Sequence, residues 1–215
     1  MIIASDLNGT LTTGAPALAV TEWIKLYQPE NYPWLYKYRL FLSYLQVRFE
    51  WMEIDDWADR ILREVLSRVK SPDMDILNAI MEYVVEEELW PKRRVEVVSL
   101  LQDFHRKGAE IYIVSAAYEP AVKNFANKIG NERILGIGTP VFITSSGMSL
   151  AENLTTRKIK LERLKELMGS QKLDIALGDT VSDIPLLELA ERPIAVYPDR
   201  DLRHEAELRS WEILE

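Results

Sequence analysis

The chain has 215 residues, 47% of them hydrophobic, which suits one medium domain or a core carrying a smaller insertion. Its 26 basic against 34 acidic residues leave a net charge of −8 and exclude general nucleic-acid binding, since no basic surplus exists to meet phosphates, though a local pocket for a phosphorylated small molecule stays compatible. The absence of cysteine excludes disulfides, thiolate metal sites and cysteine nucleophiles.

Ile2, Ile3 and Ala4 form a short apolar run that predicts a buried strand. It leads directly into Asp6-Leu7-Asn8-Gly9-Thr10-Leu11-Thr12, so a carboxylate stands at the end of a strand, where open α/β sheets place their chemistry. Residues 15–90 then read as almost wholly helical. Trp57, Ile61, Val65 and Val69 recur at helical spacing, as do Met74, Leu77, Ile80, Met81 and Val84. Ser71-Pro72-Asp73 separates the two helices, with Ser71 or Asp73 placed to cap the second. Residues 23–57 hold eleven of the chain's twenty aromatics, interleaved with Lys37, Arg39 and Arg48. This density reads first as the core of the helical block and second as a stacking surface for a ring-bearing ligand.

From about residue 92 helix and strand alternate. A helix over Arg93–Lys107 ends at Gly108, and Glu110–Val114 is a strand running into Ser115. A helix over Glu119–Ile129 stops at Gly130. Ile134–Ile137 and Val141–Thr144 are short extended segments, separated from the next helix by a turn at Ser146-Gly147. Arg157–Met168 is helical, Leu173–Leu177 is a strand, and Ile184–Ala190 begins another helix. Ile194–Tyr197 is the last central strand and Trp211–Leu214 an edge strand. His105 and His204 read as surface residues of charged helical stretches. The alternation implies a parallel sheet with right-handed crossovers. Because the helical block splits the first strand from the rest, the expected organisation is an α/β core of residues 1–14 and 91–215 with residues 15–90 inserted as a cap. No run approaches the roughly 20 apolar residues of a membrane span. The N-terminus also lacks a basic segment followed by an apolar core, so the sequence is read as soluble and cytoplasmic.

Four segments carry residues suited to chemistry. Asp6 is placed to attack phosphorus and form an acyl phosphate, or more plainly to cap a turn. Gly9 permits a tight turn and Thr10 offers a hydroxyl and an N–H to a phosphate. Asp179 and Asp183 follow the Leu173–Leu177 strand and, with Asp6, supply oxygen ligands for a hard cation such as magnesium; the alternative for Asp183 is a helix cap. Ser115, at a third strand end, offers a hydroxyl to a phosphoryl oxygen. Thr155-Thr156-Arg157-Lys158 opens a helix with Thr156 as its cap. A cation in that first turn is disfavoured by the helix dipole, so Lys158 calls for an external reason such as screening a phosphate, with Lys160 as its rival.

In order and spacing these segments resemble the motifs of the haloacid dehalogenase superfamily. Asp6 to Thr10 matches the nucleophile motif, Ser115 the second, Lys158 the third, and Asp179 with Asp183 the acidic fourth. The resemblance spans almost the whole chain and is closest to the phosphoserine phosphatase-like branch, on Leu89-Trp90-Pro91 and on Val114–Glu119. It implies a Rossmann-like core with a helical cap, and hydrolysis of a small phosphorylated metabolite through an aspartyl phosphate. It further implies Mg2+ held by Asp6, the Asn8 backbone carbonyl and Asp179, with Asp183 positioning a metal water. Thr10, Ser115 and Ala116 would meet the phosphate and Lys158 would screen it. Thr13–Ala19 lacks the acidic residue that phosphoserine phosphatases carry there, and Ser182 stands where that branch often has Asn, which argues against phosphoserine as substrate.

Position 8 departs from the pattern: Asn8 replaces the aspartate that protonates the leaving group and deprotonates the attacking water. An amide has no transferable proton, and acid–base catalysis is worth about 10²- to 10⁴-fold. Three accounts stay open: an engineered trap, a natural enzyme that is slow or specialised for good leaving groups, and a degenerate member that binds a phospho-ligand or a protein without hydrolysis. Oligomeric state is not fixed by the sequence, and a homodimer through the aromatic block is compatible with it.

Overall fold

A computed structural model describes residues 1–32, 35, 54–130, 132–145, 147–151 and 157–215, with side chains apart from residues 54–56 and 157–160. The opening apolar run forms β1 (Ile2–Asp6), buried along its whole length. Next come α1 (Pro16–Tyr27), a 3-10 turn at Pro29–Asn31, α2 (Ile54–Leu66) and α3 (Met74–Tyr83), which continues as a π-helical segment over Val84–Leu89. Asp73, not Ser71, caps α3: its side chain accepts from the Ile76 N–H at 2.8 Å.

The remainder alternates as the sequence predicts: α4 (Val95–Arg106), β2 (Glu110–Tyr118), α5 (Glu119–Ile129), β3 (Ile134–Thr139), β4 (Val141–Thr144), β5 (Gly147–Leu150) and α6 (Arg157–Met168). Then follow β6 (Leu173–Gly178), a 3-10 turn at Val181–Asp183, α7 (Ile184–Leu187), β7 (Ala190–Val196), α8 (Arg200–Leu208) and β8 (Glu212–Leu214). Six strands make one parallel sheet in the order β3-β2-β1-β6-β7-β8.

Strand alternation divides the sheet into two apolar faces. Ile3, Ile111, Ile113, Ile175 and Leu177 face one way, against α1–α5. Ala4, Tyr112, Val114 and Ala176 face the other, against α6, α7 and α8 through Leu164, Leu187 and Leu202. The chain steps outward from β1 through β2 to β3, then returns to place β6 on the other side of β1. That reversal opens a crevice beyond the carboxyl ends of β1 and β6, where doubly wound sheets bind their ligands.

Several elements differ from expectation. Gly147 begins not a turn into a helix but a strand, β5, paired antiparallel to β4. The helix after Asp183 ends at Leu187, and Ala190 already belongs to β7, which stops before Tyr197. Helix α4 begins at Val95 because Arg94 is extended. His204 is exposed and His105 half-buried, with its Nδ1 shielded from solvent and without a hydrogen-bond partner among the described residues. Thr156 and most of the aromatic cluster, with Lys37, Arg39 and Arg48, lie outside the described residues. Among the described residues no helix is long and apolar enough to cross a membrane.

The helices between β1 and β2 share one continuous apolar cluster with the sheet. Two polar ties add to it. The Tyr118 hydroxyl at the end of β2 donates to the Leu62 carbonyl of α2 at 3.0 Å. Arg63 of α2 donates to the Leu150 and Ala151 carbonyls at 3.0 and 2.8 Å while Asp59 holds its Nε at 2.7 Å. Tyr118 is fully buried, so Tyr118→Phe removes one interior hydrogen bond with little change of volume. We expect urea unfolding to show a loss of about 1 kcal/mol with an unchanged denaturant slope.

Candidate active site

The turn after β1 is built by its own backbone. The Leu7 carbonyl accepts from the N–H groups of Leu11 and Thr12 at 2.9 and 3.1 Å, and the Gly9 N–H donates to the Thr12 carbonyl at 2.7 Å. This geometry holds residue 9 at φ +96°, a conformation glycine adopts without strain. The space is as exacting: a Cβ at Gly9 would lie 1.9 Å from Asp179 Oδ2. Glycine therefore lets the turn close over the end of β6.

That approach gathers carboxylates. Asp6 ends β1, and Asp179 and Asp183 follow β6; each offers an oxygen, and these oxygens lie within 4.8 Å of one another. Asp6 and Asp183 are buried. Asp183 does not cap the helix that follows it with its side chain; as the last residue of the Val181–Asp183 turn, its Oδ2 accepts from the N–H groups of Asp179 and Thr180 at 3.1 and 3.2 Å, closing a capping box with Thr180. Thr10 is buried and its hydroxyl donates to Asp179 Oδ1 at 2.8 Å.

Burial, followed by the charge of Asp183, pushes the Asp179 carboxyl up to about 7; the Thr10 hydrogen bond and the Arg94 charge pull the other way. Asp6, Asp179 and Asp183 thus form a crowded set of oxygen donors with a surplus of negative charge. The closed space against Gly9 and this all-oxygen donor set fit a hard divalent cation.

Across the turn, Ser115 is buried within β2, which continues to Tyr118 instead of ending before Ser115 as the sequence suggests, and its hydroxyl donates to Asn8 Oδ1 at 3.0 Å. Asn8 Nδ2 in turn donates to the Gly14 carbonyl at 3.1 Å. Ala116 is half-buried beside Ser115, with its carbonyl accepting from the Thr139 hydroxyl at 2.8 Å. Lys158 and Lys160 occupy the first turn of α6, and their side chains lie outside the described residues. The structure therefore brings together Asp6, Asn8, Thr10, Ser115, Asp179 and Asp183.

Arg94 is a site residue that sequence reasoning missed. Its Nε donates to the Gly9 carbonyl at 2.8 Å, its backbone N–H donates to the Leu11 carbonyl at 2.8 Å, and its guanidinium lies 3.9 Å over the Tyr197 ring. A signal for it was present: Arg94 stands immediately before α4, where the helix dipole disfavours a cation. The same reasoning that singled out Lys158 applies to it.

Residues 3–188 match the model of the haloacid dehalogenase-like hydrolase family. The chain belongs to this family. Its fold is that of phosphoserine phosphatase-like members. A substrate-bound phosphoserine phosphatase superposes with a TM-score of 0.66 at 12% identity, covering 100% of this chain and 92% of that one. A Bordetella pertussis Tohama I protein of unknown function gives 0.80 at 19% identity, covering 100% and 97%. Among curated proteins, the chain is 32% identical over 124 residues to the inhibition of morphological differentiation protein of Streptomyces azureus, covering 56% of this chain and 45% of that one. It is 24% identical over 185 residues to a probable phosphatase of Mycobacterium tuberculosis, covering 80% and 61%. The chain thus spans about half to three fifths of the length of these curated relatives.

The raised Asp179 carboxyl makes stability depend on pH in a definite direction. The folded protein keeps this proton up to about pH 7, whereas an unperturbed carboxyl releases it near 3.8, so the folded state binds more protons between these values. Stability from this group is full below that window and is lost as pH rises through it. At pH 8 in chelator, Asp179→Asn should raise Tm over the parent, by roughly 2–4 °C per kcal/mol recovered. Scanning calorimetry at pH 5 and pH 8 should show the advantage shrinking at the lower pH.

Proposed function

We propose that this protein is a magnesium-dependent phosphomonoester hydrolase acting on a small phosphorylated metabolite through an aspartyl phosphate. The observation that carries the reading is the clustering of Asp6, Asp179 and Asp183 within 4.8 Å at the ends of β1 and β6, in a chain of the haloacid dehalogenase-like hydrolase family. Residues 15–90 are assigned as a helical cap on a core of residues 1–14 and 91–215. The sequence of Thr13–Ala19, without an acidic residue to receive a substrate amino group, disfavours phosphoserine.

Asp6 is assigned as nucleophile, with one carboxylate oxygen directed at phosphorus. Asp6, the Asn8 carbonyl and Asp179 would hold magnesium, with Asp183 supporting a bound water; the ion supplies positive charge to the phosphoryl oxygens. The backbone around Thr10 and Ala116 would receive the phosphoryl oxygens, joined by the Ser115 hydroxyl once it turns from Asn8 Oδ1, and Lys158 would screen their charge. Attack by Asp6 forms the acyl phosphate and releases the ester oxygen with its electron pair. Water then attacks the phosphorus, and the electron pair of the breaking bond returns to the Asp6 carboxylate. Asn8 supplies a hydrogen bond but no proton, which slows turnover of esters that need protonation by about 10²- to 10⁴-fold.

Asn8 also favours a second reading, in which the site binds a phospho-ligand and does not turn it over. Hydrolysis of p-nitrophenyl phosphate with magnesium separates the two. The first reading expects metal-dependent release of p-nitrophenol that stops with chelator and is lost in Asp6→Ala. Phosphate binding without turnover would favour the second, and a rate unaffected by Asp6→Ala would remove Asp6 as nucleophile.

A further inference from the structure

The surroundings of Asn8 show how its amide is held. A backbone carbonyl only accepts, so the Gly14 carbonyl must face the amide nitrogen, leaving Oδ1 for the Ser115 hydroxyl. The Gly14 carbonyl is not free to turn away. The Gly14 N–H donates to the Thr12 hydroxyl at 3.1 Å, and that hydroxyl donates to the Leu89 carbonyl at 2.6 Å. Gly14 is also packed so closely that a Cβ would lie 2.7 Å from the Glu88 carbonyl. An ionised carboxylate at position 8 would set oxygen against oxygen with no proton between them. The place is cut for an amide.

The other described side chains around the three carboxylates offer no substitute proton. Thr10, Ser115, Thr180 and Ser182 present only hydroxyls, and the Arg94 guanidinium is held by the Gly9 carbonyl. Glu88, whose backbone touches Gly14, has its Oε1 engaged by the Ala15 N–H at 2.9 Å and by Lys92 Nζ at 2.6 Å. Asp6 is the nucleophile, and Asp179 and Asp183 belong to the cation.

We propose that this site is specialised for phosphoryl compounds whose leaving oxygen departs without a proton, namely aryl and acyl phosphates in preference to alkyl phosphates. The proposal rests on the reading of Asp6 as nucleophile. In the first step the Asp6–phosphorus bond forms as the phosphorus–leaving-oxygen bond breaks. The electron pair stays on that oxygen, which leaves as an anion and takes a proton later from solvent. In the second step water attacks phosphorus, the bond to Asp6 breaks with its pair returning to the carboxylate, and the water proton passes to solvent. Phosphoryl transfer runs through a loose transition state, which asks little of the nucleophile and places most of the charge on the leaving group. The amide therefore hinders the second step less than it hinders departure of an alkoxide.

The test is kcat/KM across substituted phenyl phosphates, acetyl phosphate and glycerol phosphate, with magnesium, for the parent, Asn8→Asp and Asn8→Ala. The parent should show a steep fall in rate as the leaving group becomes more basic. Asn8→Ala should keep that slope at a lower overall rate. Asn8→Asp, where a proton donor is supplied, should flatten it, raising glycerol phosphate by about 10²-fold or more and by a larger factor than p-nitrophenyl phosphate. A flat series for the parent overturns the proposal, as does an unchanged slope in a folded Asn8→Asp. The parent's slope needs no variant and decides alone if Asn8→Asp does not fold. Failure of all three proteins to turn over any compound would instead overturn the hydrolase reading and the substrate class with it.

Discussion

Three carboxylates held within 4.8 Å impose the constraint around which the rest of this structure is arranged. Gathering like charges in a buried place is costly, and the cost is visible in the Asp179 carboxyl, driven up to about 7 by burial and by Asp183. Such an arrangement persists only where its surroundings hold it. β1 and β6 run side by side, so Asp6 and the Asp179–Asp183 turn emerge at one edge. Gly9 lets the first turn close to contact with Asp179, Thr10 donates to Asp179, and Arg94 holds the Gly9 carbonyl while lending a positive charge. What the fold does not neutralise is a surplus of negative charge on oxygen donors, the chemistry that suits a hard cation.

The same turn is where the helical segment joins the sheet. Thr12 forms bridges with both Asn8 and Arg93, the Thr13 N–H donates to the Lys92 carbonyl, and the Thr12 hydroxyl reaches the Leu89 carbonyl. The two chain crossings are thereby bound to each other directly beside the carboxylates. One of them is the end of the π-helical segment over Val84–Leu89, a distortion of the kind that recurs at functional sites. Farther out, Arg63 ties α2 to the β4–β5 hairpin, which precedes the helix carrying Lys158. Any movement of the helices against the sheet must therefore work against contacts that also shape the site.

Much of this was legible in the sequence where the signal was local. Helices α5 and α6 begin and end at the expected residues because apolar spacing and, for α5, a terminal glycine mark them within a few positions. The strand β5 was missed because Gly147-Met148-Ser149-Leu150 lacks β-branched and aromatic residues; pairing with β4 and burial of Met148 and Leu150 supply what propensity does not. The start of β7 was hidden by Glu191-Arg192-Pro193. This stretch pairs only with β6, since β8 joins at Ile194, so proline meets an open edge. β2 runs on through Ser115 with a register irregularity beside the site, a feature no periodicity announces. The three motifs carried by strands, at Asp6, Ser115 and Asp179–Asp183, were readable because each follows an apolar run. Gly14 was not, because its importance lies in a carbonyl presented by backbone, and Arg94 gave only the weak signal of a cation before a helix, since its partners Gly9 and Tyr197 are distant in sequence.

The contrast between Gly14 and Asn8 explains why an amide persists where the family motif has a carboxylate. A substitution that merely disabled an acid would leave the replacement without purpose, its polar atoms facing groups arranged for another residue. Here both ends of the amide are used in the polarity that an amide alone provides at neutral pH: oxygen toward the Ser115 hydroxyl, nitrogen toward the Gly14 carbonyl. The acceptor at Gly14 is held by Thr12, and Thr12 by Leu89, so the chain from Asn8 leads without a break into the helical segment. Each member of that chain is satisfied by the next, which is the condition under which a buried polar network stabilises one arrangement over others. Asn8 is thus better understood as part of the joint between helices and sheet than as a damaged catalyst. The chemistry open to the site follows from what that joint requires.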